Sequence, residues 1–154
     1  MNNNNIERFD ICQVSKIPDG VMEGFIHSPD YPKYYGNSRN CYLNLNLPNE
    51  NFRLFVYLIS MNVESKGWFS RVPKDYLYIE NIEKSFFGEY KPQIVLAENR
   101  LTKFRFITDF VTSTSLNDPK GVLLYFKSKI ISFEFNIRRK KIVFFFKLLN
   151  YLKS

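Results

Sequence analysis

Residues 24–35 read Gly24-Phe25-Ile26-His27-Ser28-Pro29-Asp30-Tyr31-Pro32-Lys33-Tyr34-Tyr35. Pro29 and Pro32 fix φ and remove two backbone donors, so the chain here runs as an extended edge or a turn. Tyr31, Tyr34 and Tyr35 can bury their rings while the hydroxyls reach polar partners. Six residues further on, Cys41 opens a segment in which Leu43, Leu45 and Leu47 alternate with Asn44 and Asn46. That period of two is the pattern of a half-buried strand.

Similar segments follow, separated by polar turns. Pro48-Asn49-Glu50-Asn51 is a turn, and Phe52 to Ile59 is a largely apolar, central strand. Tyr76 to Glu80 sets Leu77 and Ile79 against Tyr76 and Tyr78, and Thr102 to Thr108 sets Phe104 and Phe106 against Lys103 and Arg105. Gly121 relieves crowding where a loop enters the last strand, Val122 to Phe126. No stretch holds an apolar stripe of helical period over three turns. Many short strands between turns predict an antiparallel sandwich or barrel. Its predicted inward side chains are Leu43, Leu45, Leu47, Phe55, Leu77, Ile79, Phe104 and Phe106.

The chain from 24 to 126 resembles the CUB domain family, landmark by landmark. Ser28-Pro29-Asp30-Tyr31-Pro32 is similar to the family's opening Ser-Pro-x-Tyr-Pro, followed by Tyr35 and Cys41. Asp75-Tyr76-Leu77-Tyr78-Ile79 resembles its Asp-x-Leu-x-Ile strand. Asn99-Arg100-Leu101 and Phe106-Ile107-Thr108-Asp109 look like its Asn-x-Leu and Phe-x-Ser-Asp elements. Gly121 to Tyr125 resembles its closing strand, with Val122 where Phe is usual. The resemblance covers roughly residues 12–126 and implies an antiparallel two-sheet jelly-roll sandwich. With it the chain divides into a lead (1–11) that its Asn run marks as disordered, the CUB-like domain (12–126), and a basic, aromatic C-terminal extension (127–154) that offers at most one added strand.

The two cysteines, Cys12 and Cys41, are by themselves compatible with free thiols or one bridge. The resemblance implies the bridge, because their separation is like that of the family's first disulfide. Closing a loop of about 30 residues would contribute roughly 3–4 kcal/mol in the chain-entropy model. The family's second cysteine pair is missing. Trp68, Phe69 and Phe86 or Phe87 stand in those regions and offer hydrophobic bracing instead. A disulfide and the resemblance both imply an extracellular, secreted setting. No apolar signal segment follows Met1, which leads to the expectation of an incomplete gene product or loss of export.

Many CUB domains hold Ca²⁺ between three carboxylates on neighbouring loops. By resemblance these are Glu64, Asp75 and Asp109, with the Tyr35 hydroxyl orienting the Glu64 carboxylate and Thr112 or nearby carbonyls adding oxygens. Ca²⁺ requires six to eight oxygens, and three converging carboxylates repel one another without a cation. The Glu64–Asp75 gap is longer than the family's, and Phe110-Val111-Thr112-Ser113 lacks the asparagine the family places there. The resemblance implies that the ion orders loops that grip a basic side chain on a partner protein.

Composition narrows the remaining classes. The chain has 154 residues and a net charge of +7. Eight of the 22 basic and one of the 15 acidic residues lie in 127–154, so that segment carries the whole excess and leaves 1–126 neutral. The charge therefore does not describe a basic domain seeking nucleic acid. Arg138-Arg139-Lys140-Lys141 before an Ile-Val-Phe-Phe-Phe run could lie on an anionic membrane, but the run is too short to span one. The favoured account of 127–154 is a non-native extension. One histidine, His27, and two cysteines exclude zinc-finger arrays and an HExxH protease. No nucleophile–base set is present, and His27 reads as a surface or partly packed ring. The expectation is a non-enzymatic, extracellular protein-binding module. Its alternatives are a non-catalytic fragment of a secreted astacin-type metalloprotease with several domains, and membrane association through the basic tail.

Overall fold

The computed structural model describes residues 6–64, 73–97, 101–110 and 120–130. Ten strands follow in order: β1 (Arg8–Asp10), β2 (Glu23–His27), β3 (Asn40–Asn46), β4 (Phe52–Asn62), β5 (Tyr76–Ile79), β6 (Lys84–Phe86), β7 (Glu89–Tyr90), β8 (Gln93–Ala97), β9 (Leu101–Ile107) and β10 (Gly121–Ile130). A 3-10 turn, Glu80–Ile82, links β5 to β6. The strands form two sheets. One holds six strands, in the order β1-β2-β10-β4-β7 with β8 also on β4, and the other holds four, β3-β9-β5-β6. All pairings are antiparallel except β1 with β2. The protein is the all-β sandwich that the alternating segments require.

The four-stranded sheet follows the period-two pattern closely. Leu43, Leu45, Leu77, Ile79, Phe104 and Phe106 are buried between the sheets, and Leu47 just past β3 joins them. Phe55 is a correction. In β4 the inward residues are Leu54, Val56 and Leu58, and Phe55 is half-buried on the opposite face. Nearly every residue of β4 is apolar, so alternation could not choose its face. The outer side of the six-stranded sheet has its own cluster of Phe25, Ile59, Leu123 and Tyr125.

The Pro-rich stretch is not a sheet edge. It is the turn that follows β2, and β2 itself lies between β1 and β10. The turn is fastened to the last strand. Ser28 N–H donates to the Val122 carbonyl, and Ser28 Oγ accepts the Val122 N–H, both at 3.0 Å. Gly121 makes this approach feasible, because it sits at φ +88° and a Cβ there would fall 2.0 Å from Ser28 Oγ.

Two expected boundaries move. Residues 6–11 belong to the fold, since β1 pairs with β2, Phe9 packs on Phe126 and Ile11 is buried. At the other end β10 continues to Ile130, where Lys127 pairs with Glu23 and Lys129 lies over the Phe55 ring. These two lysines are therefore sheet residues and not part of an appended tail. Cys12 and Cys41 form a disulfide, which ties the segment after β1 to β3 in the other sheet. Of the aromatic residues expected to brace the loops, Phe86 is fully buried against Tyr90, and Phe87 packs at the core margin. Trp68, Phe69, Thr112 and Arg138–Lys141 lie outside the described residues.

Candidate metal centre

The end of the sandwich is built where three strands stop or start. β4 ends at Asn62, and Val63 anchors the exit by burying its side chain and donating its N–H to the Gly88 carbonyl at 3.1 Å. Glu64 follows. β5 and β9 pair with Tyr76 opposite Ile107, so Asp75, one residue before β5, lies beside the chain leaving β9, and Asp109, two residues after β9, comes within reach of it. Ligand oxygens of Glu64, Asp75 and Asp109 all lie within 4.8 Å of one another.

Tyr35 is the post on which this end is assembled. Its ring is fully buried, edge-on to Phe106 with centroids 5.3 Å apart. The hydroxyl donates to Asp75 Oδ2 at 2.5 Å and accepts the Glu64 backbone N–H at 3.1 Å. Burial first, and the bond to Asp75 second, push this phenol far above its ordinary range, so it remains a donor. The expected role of Tyr35 is thereby corrected: it holds the carboxylate of Asp75 and the main chain of Glu64, not the Glu64 carboxylate. The reason is burial. Asp75 is 3% exposed and needs donors, whereas Glu64 is only half-buried.

The other Asp75 oxygen, Oδ1, accepts the Asp109 N–H at 2.8 Å, and the Asp109 carbonyl accepts the Ser38 N–H at 2.6 Å. Asp75 is thus oriented through both oxygens, and each retains a lone pair for a cation. The electrostatics show an excess of negative charge. Burial raises the pKa of Asp75 despite the two hydrogen bonds it accepts. Glu64 is raised by burial first, then by the charges of Asp75 and Asp109. Among the described residues a cation of the chain reaches the cluster: Lys74 Nζ lies 3.5 Å from Asp109 Oδ2. Sequence reasoning missed Lys74, although its place directly before Asp75 was a signal for it.

The donor set fits a Ca²⁺ ion. With Ca–O distances of about 2.3–2.6 Å, oxygens on opposite sides of one ion stand about 5 Å apart, the scale of this cluster. All three groups are hard oxygen donors, as that ion prefers. His27 stands apart from this chemistry, half-buried with Nδ1 2.9 Å from the Ser28 carbonyl.

The family follows from comparison with known proteins. The CUB domain model matches residues 20–116, and the chain belongs to the CUB domain family. CUB domains are typically extracellular protein-interaction modules and are generally non-catalytic. Among solved structures, the CUB1-EGF-CUB2 domain of human MASP-1/3 aligns over 79% of this chain and 44% of its own, at 21% identity and TM-score 0.60. This chain therefore spans less than half of that structure. The MASP-1 CUB2 domain bound to Ca²⁺ aligns over 79% of this chain and 96% of its own, at 20% identity and TM-score 0.56. The full extracellular region of zebrafish Gpr126/Adgrg6 aligns over 79% and 15%, at 17% identity and TM-score 0.61. At these identities the likeness is one of fold. No curated protein matches the chain.

Proposed function

We propose that this protein is a non-enzymatic, extracellular binding module that recognises a basic side chain on a protein partner through a Ca²⁺-dependent site. The observation that carries the reading is the convergence of Glu64, Asp75 and Asp109 around one point, with Asp75 already oriented by Tyr35 and the Asp109 N–H. The Ca²⁺-bound MASP-1 CUB2 structure, which shares the fold, supports it.

Glu64, Asp75 and Asp109 would hold the ion. Bound there, it would supply the positive charge that lets three carboxylates sit together on separate loops. The chain's own part is to place them. Tyr35 fixes Asp75 and the Glu64 main chain, while the β5–β9 register sets Asp109 beside Asp75. Carboxylate oxygens not turned to the ion then accept hydrogen bonds from an ammonium or guanidinium group, which are strong because both partners are charged.

Calorimetric titration of the folded, disulfide-bonded protein with CaCl₂ tests this. Binding is expected in the range of extracellular modules, with Kd on the order of 0.1–1 mM or tighter. Asp109→Ala is expected to abolish it while the sandwich still unfolds cooperatively. Absence of binding at millimolar Ca²⁺ overturns the reading.

A further inference from the structure

The acidic cluster faces a cation that the chain itself supplies. Lys74 Nζ is 3.5 Å from Asp109 Oδ2, and its charge also favours ionisation of Glu64 and Asp75. Its side chain is 35% exposed, so the ammonium can leave for water by rotating its flexible stem. An ion pair this accessible contributes little to the stability of a fold. Its electrostatic effect on the cluster is larger, because one ammonium offsets one of the three carboxylate charges at close range.

We propose that Lys74 is a tethered occupant of the acidic cluster that competes with Ca²⁺ for Asp109 and so lowers the affinity of the site for the ion. This rests on the reading of the cluster as a Ca²⁺ site. The competition has a direct physical basis. An ammonium within 3.5 Å of Asp109 Oδ2 would stand close to a dication ligated by the same carboxylate, and the two repel. Ion entry therefore requires Lys74 to swing into solvent, and ion loss lets it return. Lys74 would also stand where a partner's ammonium approaches Asp109, so the same displacement would precede partner docking.

The test compares Ca²⁺ binding by wild type, Lys74→Met and Lys74→Arg in metal-stripped buffer. Methionine keeps the length of the stem and removes the charge. Lys74→Gln serves as a second neutral variant, should the methionine protein fold poorly. The neutral variants are expected to bind Ca²⁺ about three- to tenfold more tightly than wild type, with the gap narrowing as NaCl rises. Lys74→Arg is expected to stay near wild type. Neutral variants that bind no more tightly than wild type overturn the competition and leave the Ca²⁺ reading standing. Absence of binding in wild type and neutral variants alike overturns that reading and the competition with it.

Discussion

Two places in this protein use the same kinds of group in different proportions. On the outer face of the six-stranded sheet, one carboxylate, Glu23, takes a hydrogen bond from the Tyr125 hydroxyl at 2.9 Å and an ion pair from Lys127. At the end of the sandwich, among the described residues, three carboxylates gather beside the buried Tyr35 and Lys74. The first carboxylate is matched, and Lys127 foremost holds Glu23 below its ordinary pKa. The second set is under-matched, and burial with mutual repulsion raises Glu64 and Asp75. A matched carboxylate braces strands. An unmatched group, held in place by hydrogen bonds it cannot easily abandon, has capacity left for a cation.

The largest effect should come from supplying that cation. Ca²⁺ at about 100 times its Kd would stabilise the folded state by about 2.7 kcal/mol. For a chain of this length that corresponds to a rise in Tm of roughly 5–10 °C. Scanning calorimetry with and without Ca²⁺ reads the shift. Asp75→Asn should remove it and Glu23→Gln should leave it intact, so loss of the shift in both variants would break the distinction between the two places.

Removing the tyrosine hydroxyls comes next. Tyr35→Phe leaves Asp75 Oδ2 and the Glu64 N–H without their shared partner in a buried setting, with an expected loss of about 1–3 kcal/mol. Tyr125→Phe takes one donor from Glu23, which keeps Lys127, and should lose about 0.5–1 kcal/mol. Urea denaturation of the two variants compares them. Equal losses would mean that the hydroxyl of Tyr35 has no special part in holding the acidic end.

Legibility in the sequence divides along similar lines. The four-stranded sheet could be read because its faces differ in polarity: Leu43 and Leu45 alternate with asparagines, and Phe104 and Phe106 alternate with Lys103 and Arg105. The six-stranded sheet could not be read fully. Phe55 and Ile59 are apolar on the outer face and Leu54 and Leu58 on the inner one, so no period distinguishes them. β1 was missed because three residues after an Asn run are too few to show alternation, and its place is set by pairing with β2 and by Phe9 meeting Phe126. The three carboxylates were named by family resemblance, since nothing local in Glu64, Asp75 or Asp109 foretells their meeting. Only the β5–β9 register and the exit of β4 bring them together. The target of the Tyr35 hydroxyl was assigned to the wrong carboxylate, because sequence does not reveal that Asp75 is the buried one.

Acidity gives a further contrast, of opposite sign at the two places. Glu64 and Asp75 have raised pKa values in the folded protein, so in their pH window the folded state binds more protons than the unfolded chain. Their contribution to stability is present below about pH 4 and is lost as pH rises through the folded values. Glu23 is lowered, and its contribution is present above the ordinary carboxylate range and lost as pH falls. Urea midpoints in metal-free buffer should therefore show a downward component with rising pH that Glu64→Gln diminishes. Saturating Ca²⁺ should suppress the same component, because the ion stabilises the ionised carboxylates. A pH profile unchanged by Glu64→Gln would show that the acidic end carries no excess charge.

The smallest effect belongs to the matched pair itself. The side chains of Glu23 and Lys127 are 37% and 31% exposed, so water screens their attraction and competes for both partners. Glu23→Gln should cost about 0–1 kcal/mol, with the Tyr125 hydroxyl still able to donate to the amide oxygen. The loss should shrink further in high salt, as an accessible ion pair requires. Ca²⁺ affinity should be unchanged, since the pair belongs to β2 and β10 and the clustered carboxylates belong to the loops after β4, before β5 and after β9. A loss well above 1 kcal/mol would mean that Glu23 is more than a brace between two strands. It would place on the sheet face the kind of buried, partner-dependent charge that Asp75 represents at the end of the sandwich.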